Sequence, residues 1–133
     1  MNFASAKQWF DDFRSDFDKA MSMYTDEVQF EDVIIAHKVN GKENLRQFFA
    51  LFNDPAFGEH VITVVGYSGS ADGGAIEWTW QAKHAGDFLG VLAKGKETNV
   101  RGTSILVFKN GKIVSHRDYW NAAAALRQLG VIQ

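Results

Sequence analysis

Hydrophobic and polar positions change period several times along this chain. Phe10, Phe13 and Phe17 recur at helical spacing, with Trp9 beside them, and predict an N-terminal helix. Ser5-Ala6-Lys7-Gln8 reads as its capping box, Ser5 capping and Gln8 reaching back. Ser15-Asp16 offers a second cap, so a break is expected there, followed by a short helix to about Met23. From Glu27 the period drops to two: Val28 and Phe30 alternate with Gln29 and Glu31, a strand. Asn40, with Glu43 three residues on, is expected to cap a third helix. Its apolar stripe is Leu45, Phe48, Phe49 and Phe52, and Asn53-Asp54-Pro55 stops it.

Beyond Pro55 the pattern is strand-like almost to the end. His60 to Tyr67 is rich in β-branched residues, and the turn containing Asp72-Gly73 leads into Ala75 to His84. There Ile76, Trp78, Trp80, Ala82 and His84 share one face, and Glu77, Thr79, Gln81 and Lys83 the other. Gly86, Gly90 and Gly95 punctuate a longer connection to Thr98–Lys109; Asn110-Gly111 then turns the chain back through Lys112–Trp120. Asn121 to Leu129 closes as an alanine-rich helical segment stopped by Gly130. This order predicts one α+β domain over residues 1–133, with helices packed to one side of a strongly curved, mostly antiparallel sheet. The concave face of such a sheet is a natural ligand pocket.

Composition narrows the chemistry. A chain of 133 residues that is 46% hydrophobic and 14% aromatic buries a sizeable core. A net charge of -2 gives no general attraction to nucleic acid, and the absence of cysteine removes disulfides, thiolate nucleophiles and thiolate zinc sites. The four histidines are scattered without ligand spacing, so no metal is expected. Met1 to Ala20 mixes acids and lysines, which reads as neither a signal peptide nor a membrane span; a cytoplasmic location is the expectation.

If Asn110-Gly111 is a two-residue loop, Lys109 faces Lys112, Ile105 faces His116 and Thr103 faces Asp118. His116, Asp118 and Trp120 then share a face with Arg101, Thr103 and Ile105. Asp118 on a strand is either one half of an ion pair with Arg101 or a pocket carboxylate suited to acid or base work. His84 is either a hydrogen-bonded core residue or a proton shuttle, and Asp32 either a turn former or a second pocket carboxylate. His37 and His60 read as surface residues.

Several segments together look familiar: His84-Ala85-Gly86-Asp87-Phe88-Leu89-Gly90, Gly95-Lys96, Gly111-Lys112-Ile113-Val114, Asp118-Tyr119-Trp120 and Leu126-Arg127-Gln128-Leu129-Gly130. With Tyr24 to Asp32 upstream they resemble the SnoaL-like polyketide cyclase family, within the nuclear-transport-factor-2-like superfamily of cone-shaped α+β barrels. The resemblance implies that Asp118 matches the pocket aspartate on the last strand of limonene epoxide hydrolase and the acid/base aspartate of SnoaL-type cyclases. It likewise implies that Asp32 is similar to the aspartate base of ketosteroid isomerase, and that His84 opens the His-x-Gly-x-Phe-x-Gly stretch of SnoaL-like sequences. Trp78 and Trp80 stand where epoxide hydrolases carry an arginine and an aspartate. Trp9 and Thr103 or Ser104 replace the oxyanion-hole groups of ketosteroid isomerase, and Asn121 replaces an aspartate usual in the family.

The expectation is an acid/base enzyme of cyclase, isomerase or dehydratase type on a small hydrophobic carbonyl compound, with Asp118, Asp32 and His84 as catalytic candidates. Trp9, Phe13, Trp78, Trp80, Arg101, Thr103, His116 and Trp120 are the candidate ligand contacts. A positioned carboxylate requires no cofactor. The alternative is a binding module for a small apolar or aromatic ligand. A homodimer is expected from Leu106, Phe108, Ile113 and Tyr119, an apolar set on the face away from the pocket; neither membrane nor nucleic-acid partners are expected.

Overall fold

The computed structural model describes residues 1–133, arranged as helices α1 (Phe3–Ser15), α2 (Phe17–Met21), α3 (Lys42–Ala50) and α4 (Ala122–Gln128) against one sheet. Its strands are β1 (Tyr24–Asp32), β2 (His37–Asn40), β3 (Glu59–Gly69), β4 (Gly73–Lys83), β5 (Glu97–Lys109) and β6 (Lys112–Trp120). Their order in the sheet is β2-β1-β6-β5-β4-β3. The last four strands form an antiparallel meander, whereas β1 joins β6 in parallel, so the expected α+β class holds with a mixed, mostly antiparallel sheet. The short β2 carries too few residues for alternation to reveal, and it was not anticipated. No helix is long and apolar enough to cross a membrane.

Local starts differ from the sequence expectation in two places. α1 is capped by Asn2, whose Oδ1 accepts from Ser5 N at 2.8 Å while Ser5 Oγ accepts from Asn2 N at 2.9 Å. Ser5 is thus the third helical residue and not the cap; the earlier start adds Phe3, Ala4 and Ser5 to the helix ahead of the fully buried Ala6. α3, expected to be capped by Asn40, has Gly41 in the cap position. Gly41 has φ +87°, a conformation that favours glycine, and its N–H donates to Val28 O at 2.8 Å, tying the helix to β1. The Asp16 cap of α2 forms as expected, although that helix stops at Met21.

The sheet curves through bulges. In β3, Val65 lies between Val64, paired with Trp78, and Gly66, paired with Glu77. In β6, Phe108 pairs with Ile113 but Val107 pairs with Ser115, which leaves Val114 as an extra residue. The Asn110-Gly111 turn does form, with positive φ at both residues, and Lys109 faces Lys112 as expected. Beyond Val114 every pair slips by one. His116 faces Leu106, Asp118 faces Ser104 and Trp120 faces Gly102, so Arg101 and Thr103 belong to the opposite face. The expected sharing of a face between Asp118 and Arg101 is therefore overturned, as is the outward apolar set. Leu106 and Ile113 are buried within the protomer and Phe108 is partly buried against the core, so of that set Tyr119 alone remains exposed.

Helices α1 and α3 lie over the concave face, where Phe13 of α1 meets Phe49 of α3 at 5.3 Å between ring centres, and Phe49 meets Phe30 of β1 at 5.2 Å. The expected inward face of β4 is borne out: Ile76, Trp78, Trp80 and Ala82 are all buried, as is His84 just past it. Trp78 lies over Gly102 of β5, where an added Cβ would overlap its ring and crowd Tyr119 O. Gly102→Ala is expected to displace Trp78 and lower stability by about 1–3 kcal/mol, read from urea midpoints; an unchanged midpoint would contradict this packing.

Candidate functional site

The cavity between α1, α3 and the sheet, open at one side, holds about 130 Å³ and is walled mainly by aromatic rings. α1 supplies Phe10, Phe13 and Arg14; α3 supplies Phe48 and Phe49; Phe52 and Asn53 follow from the turn after α3. The strands supply the floor: Phe30 and Asp32 of β1, Trp78 and Trp80 of β4, Ser104 of β5, and His116, Asp118 and Trp120 of β6. Asp32 and Asp118 are direct partners in the parallel β1–β6 pairing, which sets two carboxyl groups side by side.

Asp118 is held from two directions. Ser104 Oγ donates to its Oδ1 at 2.6 Å, and His116 Nε2 lies 2.7 Å from the same oxygen. Behind Ser104, Trp78 Nε1 donates to the hydroxyl at 2.9 Å. Behind His116, the Tyr24 hydroxyl sits 2.9 Å from Nδ1. Burial pushes the Tyr24 phenol well above its ordinary pKa, and the nearby Asp118 carboxylate adds to the shift. Tyr24 is therefore a proton donor. Its O–H donates to Nδ1, which sets His116 as the Nε2–H tautomer donating to Asp118. Two chains of donors converge on Oδ1, and Oδ2 takes no hydrogen bond from the protein. The Asp118 side chain keeps 19% of its surface exposed, the part that faces the cavity.

Asp32 is fixed differently. Trp120 Nε1 lies 2.9 Å from Oδ2 and 3.1 Å from Oδ1, and Ile34 N donates to Oδ1 at 3.1 Å. Burial raises its pKa, the hydrogen bonds from Trp120, Ile35 and Ile34 oppose the rise, and the charge of Asp118 reinforces it; the net direction is upward. On another wall, Trp80 Nε1 donates to His60 Nδ1 at 3.0 Å while His60 Nε2 donates to Phe57 O at 2.8 Å. His60, read from sequence as a surface residue, is half-buried and lines the cavity.

Seven of the residues singled out from sequence meet here: Asp32, Asp118, Phe13, Trp78, Trp80, His116 and Trp120. Four do not line the space. Trp9 is buried behind it and donates its indole N–H to Ala20 O at 3.0 Å. Arg101 is exposed on the outer face, and Thr103 donates to Ile76 O at 3.0 Å; the bulge at Val114 turned both away. His84 is buried against Phe88, with Nε2 2.9 Å from Thr98 Oγ1. Burial lowers its pKa, with a further lowering from His60, so it stays neutral in the core. Tyr24, Ser104, His60 and Arg14 were not selected from sequence. Only the bulged register reveals Ser104, and Tyr24 is one of several aromatics with no local mark of its partner. No three His, Cys, Asp or Glu side chains gather in a metal-holding group.

Comparison with curated proteins finds no significant match. Solved structures do match in shape. One, provisionally designated a SnoaL-like polyketide cyclase, from Jannaschia, superposes with a TM-score of 0.76 at 15% identity over 95% of this chain and 89% of its own. Another, provisionally designated a polyketide cyclase, from Pseudomonas putida, has a TM-score of 0.76 at 18% identity over 90% of this chain and 91% of its own. A third, from Catenulispora acidiphila, has a ketosteroid isomerase-like fold and is in complex with trimethylamine. It reaches a TM-score of 0.68 at 18% identity over 84% of this chain and 80% of its own. These identities establish the shared fold and no common chemistry. The model of the SnoaL-like polyketide cyclases matches residues 4–129, nearly the whole length, and the chain belongs to that family.

Proposed function

We propose that the chain is an acid/base enzyme of cyclase, isomerase or dehydratase type, acting on a small hydrophobic carbonyl compound. The observation that carries this reading is the Asp118 carboxyl group. One of its oxygens is fixed by Ser104 and His116, and the other is left bare toward an aromatic cavity. A base so oriented meets a substrate without first reorganising. In the proposed step Asp118 removes a proton from the carbon next to the carbonyl. The C–H electron pair becomes the enolate, with charge on oxygen. Asp32, whose pKa burial raises, gives a proton to the enolate oxygen or, when the enolate carbon attacks a second carbonyl, to the oxygen of that carbonyl. His116 and Ser104 act as positioning residues, and His84, outside the cavity, has no part in the step.

One feature supports the second reading, a binding module for a small apolar or aromatic ligand. The indole N–H groups of Trp78, Trp80 and Trp120 are all engaged by protein atoms, so none is left to hold a developing oxyanion. The similar structure from Catenulispora acidiphila is itself in complex with a small molecule, trimethylamine. Pairing of two copies through the outer sheet face is also part of the proposal. That face leaves Val61, Val65, Val107 and Tyr119 exposed, which supports it with Tyr119 alone of the residues first expected there.

Incubating the protein with small cyclic ketones in heavy water and following loss of the α-proton signal by NMR tests the catalytic reading. Wild type is expected to accelerate exchange, and Asp118→Asn to slow it by about 10²–10⁴-fold. Tryptophan fluorescence that reports binding of those ketones with no exchange above buffer would select the binding module.

Asp32 adds a pH signature. Its folded-state pKa lies above the unfolded value near 3.8, so the stabilisation it gives is complete below that pH and is lost as pH rises through the raised value. Asp32→Asn has no such proton to lose. The stability of this variant relative to wild type is therefore expected to improve as pH rises above about 4, read from urea midpoints at each pH. A flat or falling difference would contradict the upward shift.

A further inference from the structure

The inward face of α1 carries Phe10, Phe13 and Arg14, at i, i+3 and i+4, so an arginine shares a wall with two phenylalanines. Of the residues lining the cavity, Arg14 and Asn53 are the exposed ones and mark its mouth. Asn53 Nδ2 donates to Phe13 O at 2.6 Å and fixes that rim to the end of α1. Arg14 is the only lysine or arginine among the lining residues. It has no carboxylate within salt-bridge distance; the ion pairs near the α1–α2 corner join Lys19 to Asp12 and Arg46 to Asp18 and leave Arg14 out. Nor does it pair with Asp32 or Asp118 inside the cavity, although those are the acids it shares the space with. Charge is thus separated across the pocket, with two carboxyl groups on the strand wall and an unpaired guanidinium at the mouth.

A ligand that fits this separation is apolar in its middle, presents its reacting end to Asp118 and carries an anionic group at the other end. The guanidinium is a planar fork of donors that matches a carboxylate in two parallel hydrogen bonds. The volume sets the size. A dry cavity of about 150 Å³ takes one benzene ring, and this more open one holds about 130 Å³. That space suits one ring or a short branched chain better than a fused polycycle.

We infer that Arg14 is the anion anchor of this pocket, and that the ligand class is small, single-ring or short-chain hydrophobic acids. For the proposed reaction, the substrate is then a carbonyl compound bearing a carboxylate at the end remote from the reacting carbon. That extension rests on the acid/base reading; the anchor itself does not.

Binding tests the anchor without turnover. Trp78, Trp80 and Trp120 line the cavity, so their fluorescence reports occupancy. Phenylacetate and its neutral isostere phenylacetamide are the probes, titrated into wild type, Arg14→Gln and Arg14→Lys at low salt. Wild type is expected to bind the acid about fivefold more tightly than the amide, a preference that rising salt erodes. Arg14→Gln should reduce the ratio to about one and Arg14→Lys restore part of it. Equal binding of acid and amide by wild type, a ratio unchanged in Arg14→Gln, or binding of neither probe would overturn the anchor. Loss of α-proton exchange in Asp118→Asn concerns the reaction alone, so the two readings fail separately.

Discussion

A strand shows its side chains alternately to two faces, so a single unpaired residue decides which set faces the core. Val114 is that residue in β6. By lying outside the pairing, it lets Ile113 point into the core beside Tyr24 and still brings His116, Asp118 and Trp120 to the concave face. The same step aligns Asp118 with Ser104 across β5 and with Asp32 across β1. Without it, Asp118 would point outward with Arg117 inward, and the cavity would lose its carboxyl group.

The polar groups then solve a problem of burial. An aromatic cavity is a poor place for carboxylates, hydroxyls and imidazoles unless each finds a partner. Here each indole N–H in the cavity wall points to a polar neighbour: Trp78 to Ser104, Trp80 to His60 and Trp120 to Asp32. Tyr24 does the same for His116 from below. In the whole chain Tyr67 Oη alone is a buried side-chain polar atom without a partner. The arrangement keeps the site rigid and leaves Asp118 Oδ2 available, a combination expected of a site built for a bound molecule.

Much of this was legible in the sequence. The alternation of Ile76, Trp78, Trp80 and Ala82, the stripe of Leu45, Phe48, Phe49 and Phe52, and the Asn110-Gly111 turn each follow from local periodicity or backbone preference. Asp118 was recognisable because a carboxylate on a strand, between His116 and Trp120, is unusual, and Asp32 through its resemblance to the aspartate base of ketosteroid isomerase. The bulge was not legible, since no glycine or proline marks Val114 and its β-branched side chain suits an ordinary strand position. Pairing by strict alternation therefore favoured Arg101 and Thr103, one residue away from Gly102 and Ser104. Tyr24 and His60 escaped notice because their roles arise from partners 92 and 20 residues away, not from their own neighbours. His84, conspicuous beside the tryptophans, is a hydrogen-bonded core residue.

The central claim is that Tyr24 and His116 orient Asp118 through one defined hydrogen-bond chain. The ring nitrogens of His116, observed by ¹⁵N NMR in uniformly labelled protein at neutral pH, test it most directly. The account predicts a protonated Nε2 and an unprotonated, hydrogen-bonded Nδ1, a pattern that changes in Tyr24→Phe. Two equivalent, exchange-averaged nitrogens, or a proton on Nδ1 in place of Nε2, would contradict it.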